Sequence, residues 1–282
     1  MTVKLIVDSA CDIQASEAEK LGIIVLPLIV RFDQTEYEDG LTLTHEDFYK
    51  KLSESDNLPT TSQLAPAAFA KVFEEVSAAN DTAVVITVSA KLSGTYQSAM
   101  IAASEYQNIF VVDSTNVCIG ERILVERALA LREEQLSAEQ IAEKLNEEKQ
   151  HVVLFALLDT LIYLKKGGRI SPTTAFAGEL LSVKPLVSVE EGEVKLIGKA
   201  RGMKKGNRLL NEKIAQSGGI DFGSPFSLAY SGLSRERLDE YLTDSADLWT
   251  AAGTDPLPIA TVGSVIGTHV GPNGIAVAFF HK

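Results

Sequence analysis

The first half of the chain alternates short apolar runs with amphipathic stretches. The apolar runs are short and rich in β-branched residues, which indicates strands, and the amphipathic stretches have the apolar spacing of helices. Strands that are apolar at nearly every position and are separated by helices indicate a parallel sheet covered on both faces. The predicted strands are VKLIVDS, IIVLPLIV, TAVVITVS and IFVVDS, and the predicted helices are ASEAEKLG, THEDFYKKLSES, APAAFAKVFEEVSAA, GTYQSAMIAASEY and GERILVERALALREEQ.

The pattern changes near His151, after one more helix, SAEQIAEKLNEEKQ. Two β segments in KPLVSVEEGEVKLIGKAR pair through the turn Glu191-Gly192, and strands joined by so tight a turn are antiparallel. We therefore predict two α/β domains. Residues 1–150 form an N-terminal α/β/α domain with a parallel sheet, and residues 151–282 form a C-terminal α/β domain with a mixed sheet.

Composition is typical of a folded soluble protein, with 45% hydrophobic and 23% charged residues in a chain of 282. The stretch between Met1 and Asp8 holds only four apolar residues, too few for a signal peptide or a membrane span. We expect a cytoplasmic protein with no stable membrane insertion.

The formal charge of −12 argues against nucleic-acid binding, which depends on basic contacts to phosphate. The charge is uneven, because the segment from Lys165 to Arg208 holds ten Lys and Arg against four Glu. Within it, Arg169 and Arg201 stand beside glycines and are suited to bidentate contacts with a phosphate or with carboxylates of a partner. A solvated basic face explains the same residues equally well.

Metal and disulfide chemistry are both disfavoured. Cys11 and Cys118 lie in separate apolar contexts without CxxC spacing. The four histidines have no carboxylate or cysteine at the spacing of metal ligands. Neither a GxxxxGK[ST] loop nor a GxGxxG fingerprint is present, so no cofactor is expected.

Small polar groups follow three predicted strands, at Asp8-Ser9, Ser89 and Asp113-Ser114. Ligands of open α/β sheets bind beyond the carboxyl ends of the strands, so this edge is the expected site. Close to it, Ser93 and Gly94 precede a helix, where the serine either caps the helix or helps its free N–H groups to hold an anion.

Two further motifs carry hydroxyl or imidazole groups. LPTTSQLAP places Thr61 and Ser62 before a helix whose first turn contains Pro66, and it reads either as a loop or as a second hydroxyl lobe of the same site. His269 lies between glycines just before the last β run, as a structural hydrogen-bonding group or as a site residue. Ser93 and His269 with an aspartate could also form a hydrolytic triad, although no GxSxG elbow surrounds any serine.

Taken in order, these motifs resemble the DegV family of bacterial fatty-acid-binding proteins, which includes the lipid-binding subunits of fatty acid kinase. The resemblance spans nearly the whole chain. The motifs that carry it are DSACD, TTSQLAP, SAKLSGTYQSA, the DS at Asp113-Ser114, LIYLKKGGRIS, KPLVSVEEGEV, KARGMKKG and GTHVGPNG.

The resemblance implies a two-domain protein that holds one long-chain fatty acid between its domains, with the tail buried and the carboxylate near the surface. Arg169 and Arg201 match positions that dock the kinase subunit, which phosphorylates the bound carboxylate. The family commonly has proline and serine where this chain has Leu64 and Ala65, so the helix start there differs. The residues implied to surround the carboxylate are Thr61, Ser62, Ser93, Gly94, Thr268 and His269.

Transfer energies agree with a lipid carrier. A C16 tail offers about 11 kcal/mol at about 0.8 kcal/mol per buried methylene, whereas each neutral hydrogen bond to the head group contributes about 1 kcal/mol. The tail sets affinity, and the hydroxyls position the carboxylate for a partner's chemistry. Two alternatives stay open: a Ser/His acyl-ester hydrolase, and a regulatory protein that binds an anionic partner through the basic segment. The segments able to line a tail are IIVLPLIV, TTAFAGELLSV and IAVAFF.

Overall fold

The fold was analysed in a computed structural model, which describes residues 2–55, 57–171 and 182–282. Strands and helices alternate through its first half, as the apolar pattern predicts. The strands are β1 (Val3–Asp8), β2 (Ile23–Leu26), β3 (Ile29–Phe32), β4 (Thr35–Glu38), β5 (Thr60–Ser62), β6 (Thr82–Thr87), β7 (Ile109–Asp113), β8 (Val152–Leu157), β9 (Val183–Glu190), β10 (Glu193–Arg201), β11 (Phe226–Tyr230), β12 (Ile259–Thr261) and β13 (Ile275–Phe280).

Local signals in the sequence explain where several helices begin. The Thr44 hydroxyl accepts a hydrogen bond from the Asp47 amide, Pro66 is the first residue of its helix, and Ser137 with Gln140 forms a capping box. The helices are α1 (Ala15–Leu21), α2 (His45–Glu54), α3 (Pro66–Ala78), α4 (Thr95–Ala103), α5 (Ile119–Glu133), α6 (Ala138–Glu148), α7 (Ile162–Lys166), α8 (Met203–Gln216), α9 (Glu236–Asp244), α10 (Ala246–Thr250) and α11 (Ser264–Val270).

The first sheet is parallel and has the order β2-β1-β6-β7. Leu5, Ile6 and Val7 are consecutive residues of β1 and all are fully buried. Because successive side chains of a strand point to opposite faces, both faces of this sheet are covered. The predicted parallel sheet is confirmed.

The second sheet is mixed and has the order β10-β9-β8-β13-β11-β12. Its strands pair in antiparallel fashion except for β11 and β12, which are parallel. Glu191 and Gly192 both have positive φ, at 50° and 81°, the conformation of a two-residue hairpin turn, and they join β9 to β10 at the predicted position. The predicted α/β fold with one parallel and one mixed sheet is confirmed.

A small third sheet, in the order β4-β3-β5, differs from the prediction. IIVLPLIV was expected to be one strand, but it divides into β2 and β3 on either side of Pro27 and Leu28. Proline has no N–H for a sheet ladder, so the chain leaves the first sheet there. The residues after the break pair with β4 and β5, and β5 contains Thr61 and Ser62.

The segment around His269 is helical, and His269 lies in the last turn of α11, although glycines flank it in sequence. Gly267 lies inside this helix although glycine is a poor helix former. A Cβ on Gly267 would lie 2.6 Å from a ring carbon of Phe48 and 2.8 Å from the Tyr49 hydroxyl. Close packing of α11 on α2 therefore requires glycine and offsets its low helix propensity.

The strands of the parallel sheet all precede His151, and those of the mixed sheet all follow it. Helix α5 packs against strands of both sheets, and one apolar core runs from Leu5 to Phe280. The boundary between residues 150 and 151 stays a prediction. The apolar segment Thr173–Val183 lies outside the described residues except for its last two positions. Among the helices that the structure describes, none is long and apolar enough to cross a bilayer.

Candidate functional site

Two adjoining cavities lie between the mixed sheet and the segments that follow the parallel strands β1 and β6. We call the cavity that Thr61 and His269 line the outer cavity, and the cavity that Leu154 and Ala156 line the inner cavity. They share a wall of five apolar side chains. These are Val117, Leu164, Val194, Ile266 and Val270.

The two cavities differ in chemistry. The outer cavity reaches the surface, because Ser62 and Gln63 in its wall are exposed. The Ser188 hydroxyl in the inner wall donates to Glu190, and the Ser231 hydroxyl accepts from the Gly274 amide, so each already has a partner within the protein. The polar side chains of the outer cavity are Thr61, Ser62, Gln63, Ser93, Arg169 and His269. The inner wall is completed by apolar residues that include Leu154, Ala156, Leu158, Val187, Val189 and Ile275.

Thr61 and His269 form a pair in the outer cavity. The Thr61 hydroxyl and His269 Nε2 are hydrogen-bonded at 2.9 Å, joining β5 to the last turn of α11. His269 Nδ1 is buried and has no hydrogen-bond partner among the described residues. A Cβ on Gly167 would come within 2.2 Å of this atom, so the main chain itself covers that side of the ring.

A second group of hydroxyls lies at the start of α4. The Ser93 and Thr95 hydroxyls are hydrogen-bonded at 2.9 Å, and the Ser93 hydroxyl also accepts from the Thr95 amide at 3.3 Å. The Leu64 amide donates to the Thr95 hydroxyl at 3.4 Å. The bond from Leu64 joins the segment that contains Thr61 and Ser62 to the start of α4. The hydroxyls of both segments therefore face the same outer cavity, as expected.

Two of the expected carboxylate contacts lie behind the cavity wall. The Thr268 hydroxyl is buried and donates to the Ser264 carbonyl at 2.8 Å, so it is used within its own helix. Gly94 precedes α4 and packs against Gln63, whose Oε1 would be 1.9 Å from a Cβ at position 94. Neither residue lines a cavity, whereas Thr61, Ser62, Ser93 and His269 all do.

Sequence reasoning missed Gln63 as a site residue. Its amide donates to the Ser98 hydroxyl at 3.2 Å, and the side chain lines the outer cavity. Gln63 directly follows Thr61 and Ser62 in the motif TTSQLAP, and its carboxamide is both a hydrogen-bond donor and an acceptor. These two properties could have identified it as a site residue.

Arg169 also faces the outer cavity rather than the open surface. The guanidinium is half-buried, and its Nε donates to the Leu92 carbonyl at 3.2 Å. No carboxylate of the described residues lies within ion-pair distance of it, and burial lowers its pKa. A half-buried cation without an acidic neighbour favours an anionic ligand in this cavity. Arg201, by contrast, is exposed at the end of β10.

The imidazole of His269 is neutral at physiological pH. Burial, and to a lesser degree the nearby charge of Arg169, lower its pKa from the ordinary 6.5 to about 4. A neutral ring has one N–H donor and one acceptor nitrogen. Its Nε2 can therefore hydrogen-bond the Thr61 hydroxyl without adding charge to the cavity.

Titration of His269 gives a pH prediction. Between pH 6.5 and about 4 the unfolded chain binds a proton that the folded chain excludes, so acidification across this range lowers the free energy of unfolding. We expect the His269 imidazole NMR signals to stay constant from pH 8 to 5. In the variant His269→Gln, the loss of stability on acidification should be smaller. A midpoint for His269 near 6.5 in the folded protein would contradict this environment.

The geometry does not support a hydrolytic triad. The Ser93 hydroxyl bonds to Thr95 and His269 Nε2 bonds to Thr61, so no hydrogen bond joins serine to histidine among the described residues. No carboxylate there accepts from His269 Nδ1, which has Gly167 against it. A triad requires both of these contacts. Nor do three metal-ligating side chains converge within the described ranges.

Comparison with known proteins agrees with the motif order. The family model described as "Uncharacterised protein, DegV family" matches residues 2–282. The chain belongs to the DegV family. A DegV domain-containing protein of Caldanaerobacter subterraneus is 35% identical to it, with 99% of each chain covered.

Solved structures of DegV proteins share the fold over the whole chain. A DegV family protein from Thermus thermophilus, described as binding fatty acid, is 31% identical with a TM-score of 0.83, covering 99% of this chain and 100% of its own. A stearic-acid-binding protein from Eubacterium ventriosum is 27% identical with a TM-score of 0.84, covering 99% and 97%. The expectation of a DegV family fold is confirmed.

Proposed function

We propose that this protein binds one long-chain fatty acid, with the tail in the inner cavity and the carboxylate in the outer cavity. The observation that carries the proposal is that a polar cavity, whose guanidinium bonds only to carbonyls and has no carboxylate neighbour among the described residues, adjoins an apolar cavity and shares five side chains with it. An amphiphile with one anionic end and a long apolar chain matches both parts. The DegV structures named as binding fatty acid or stearic acid support the same ligand class.

Affinity comes mainly from the tail. A C16 chain gains about 11 kcal/mol from burial before entropy costs, against about 1 kcal/mol for each neutral hydrogen bond to the head group. Thr61, Ser62, Ser93 and His269 therefore set where the carboxylate lies more than how tightly the lipid binds. Gly94 and Thr268 support this arrangement from behind the cavity wall.

The carrier role extends to a partner kinase. In this proposal an oxygen of the bound carboxylate attacks the γ-phosphorus of ATP held by the kinase subunit, ADP leaves, and an acyl phosphate forms. Neutral hydroxyls and a neutral imidazole leave the carboxylate oxygen free to react, while Arg169 supplies positive charge near the incoming phosphate. The exposed Arg201 lies in the basic segment that offers a docking surface. The protein itself is then a lipid-presenting subunit and supplies acyl phosphate for phospholipid synthesis.

Native mass spectrometry of the purified protein, followed by solvent extraction, tests the ligand directly. We expect one long-chain fatty acid such as palmitate per chain, because a C16 tail leaving the inner cavity exposes its methylenes to water. Protein that has been stripped of lipid should take up added palmitate or oleate at a 1:1 ratio. Empty protein that also fails to take up either lipid would refute the carrier function.

A further inference from the structure

The DSACD segment, Asp8 to Asp12, lies at the carboxyl end of β1 and is buried throughout. Of its five residues only Ala10 lines the outer or the inner cavity. Its polar side chains are nevertheless bonded to separate parts of the chain. Each of those parts contributes to a cavity wall.

Asp8 connects two cavity-lining segments through its two carboxylate oxygens. Oδ1 accepts a hydrogen bond from the Ala10 amide at 2.9 Å, and Oδ2 accepts one from the Val88 amide at 2.8 Å. Ala10 and Val88 both line the outer cavity. The buried Asp8 side chain therefore holds Ala10 and Val88 at a fixed distance in the wall of the outer cavity.

Ser9 and Ala10 connect two more segments. The Ser9 hydroxyl accepts from the Leu28 amide at 3.0 Å, and the Ala10 carbonyl accepts from the Cys118 amide at 2.9 Å. Leu28 lines the outer cavity and Cys118 the inner one. Leu28 belongs to the stretch between β2 and β3, which has left the parallel sheet and needs another support.

Asp12 acts on the helix that carries His269. Its Oδ1 accepts from the Gly263 amide at 2.8 Å, at the start of α11, beside Asp39, which accepts from the Ser264 amide at 2.9 Å. Helix α11 is only seven residues long, so its start lies about 9 Å from His269 at 1.5 Å per residue. A shift or tilt at Gly263 therefore moves the imidazole directly.

We propose that Asp8, Ser9 and Asp12 are positioning residues that hold helix α11 and the wall residues Ala10, Leu28 and Val88 in the arrangement that receives the ligand. The identity of the ligand in this inference rests on the proposed function. The placement of His269 by these residues does not depend on it. The side chains touch no ligand themselves. They act through backbone amides, which belong to the wall residues Ala10, Leu28 and Val88 and to Gly263 at the start of α11.

A purely stabilising role does not explain Asp12. Its second oxygen, Oδ2, is buried and has no hydrogen bond of ordinary geometry among the described residues. Burial raises the pKa of this carboxyl to about 8, although the nearby Cys118 thiol lowers it. An unsatisfied buried carboxyl oxygen lowers stability, and an apolar residue of similar size often costs less. The hydrogen bond that Oδ1 accepts from Gly263 is the feature that only a residue with an acceptor can keep.

The test compares Asp12→Asn with Asp12→Leu in the full chain. Asparagine keeps an acceptor for the Gly263 amide and suits the left-handed backbone of this position, where φ is 56°, whereas leucine has a similar volume, no acceptor and added backbone strain. We expect palmitate affinity to stay within about threefold in Asp12→Asn and to fall about tenfold or more in Asp12→Leu, because a buried amide loses its partner. The imidazole NMR signals of His269 in lipid-free protein should shift in the leucine variant only.

Asp81→Leu is the matched control. Asp81 accepts hydrogen bonds from the Thr2 amide and hydroxyl near the start of β6, at the opposite end of the parallel sheet. This variant should lose thermal stability without a change in palmitate affinity or in the His269 signals. If Asp12→Leu does not fold, Ser9→Ala decides the question, with an expected weakening of palmitate affinity of about threefold or more.

Three results would overturn the inference. They are an Asp12→Leu protein with wild-type palmitate affinity, an Asp12→Asn protein that loses as much affinity as the leucine variant, and unchanged His269 signals in a folded leucine variant. The NMR comparison needs no lipid. If wild-type protein binds no fatty acid, the proposed function fails while the positioning of His269 is still decided.

Discussion

Replacing Ala156 with phenylalanine is expected to abolish binding of long-chain fatty acids. Ala156 lies on the central strand β8, between Val187 of β9 and Ala276 of β13, and its side chain lines the inner cavity. A benzyl group there occupies space that the tail needs. Excluding about eight methylenes at about 0.8 kcal/mol each removes about 6 kcal/mol, so palmitate affinity should fall more than about a thousandfold.

The measurement is calorimetric titration of lipid-free protein with palmitate and with octanoate. Octanoate should be weakened much less than palmitate, because its shorter chain reaches less far into the inner cavity. Ala200→Phe is the matched control, since it adds the same group on β10 at a half-buried residue that lines neither cavity. Palmitate affinity within about fivefold of wild type, in a folded Ala156→Phe protein, would exclude the inner cavity as the tail site.

Arg201→Glu is expected to lower kinase-dependent formation of acyl phosphate by about tenfold or more while leaving palmitate affinity unchanged. The side chain is exposed and lines neither cavity, so its charge can act on a partner without touching the lipid. Reversal of a rim charge mainly slows association and changes its salt dependence. The measurement is steady-state phosphorylation of the palmitate-loaded protein by the ATP-binding kinase subunit at two salt concentrations.

Two comparisons sharpen this experiment. Ser93→Ala should reduce phosphorylation by misplacing the carboxylate, with only a few-fold effect on palmitate affinity, because one neutral hydrogen bond contributes about 1 kcal/mol. Binding of the kinase subunit is also measured with lipid-free protein. This measurement distinguishes docking by a lipid-loaded carrier from binding by a regulatory protein that needs no lipid. An Arg201→Glu protein that is phosphorylated as fast as wild type would remove Arg201 from the docking surface.

Arg169 shows why the basic segment could not be divided by sequence. Arg169 and Arg201 both stand beside glycine in a region of positive charge, and both were assigned to partner docking. In the structure Arg169 lines the outer cavity and bonds to a carbonyl 77 residues earlier in the chain, while Arg201 is exposed. The exposure of each arginine depends on how distant segments pack around it, and this cannot be inferred from its neighbours in sequence. The docking role of both arginines stays a prediction.

Local patterns were sufficient for most helices and strands. Apolar runs such as TAVVITVS form the parallel sheet because their residues are buried on both faces, and the Glu191-Gly192 turn sets the register of β9 against β10. Pro66 begins α3 as expected. Interactions within a few residues decide these features, so they can be read from sequence.

Two features were decided against local preference. The glycine-containing segment of α11 is helical because Gly267 packs closely on α2, although glycine is a poor helix former. Pro27 interrupts an apolar run, and the second part joins strands that the pattern did not reveal. In both cases packing against a distant element contributes more than the intrinsic preference of the residues.

The sequence by itself determined the family, the α/β class and the identity of the polar motifs, because those depend on residue type, order and short-range periodicity. Only the tertiary structure decided which of the motif residues share a cavity. Thr61 and His269 are 208 residues apart and bond at 2.9 Å, while Thr268, next to His269, uses its hydroxyl inside its own helix. A helix points successive side chains in directions about 100° apart, so neighbours in one motif reach different environments.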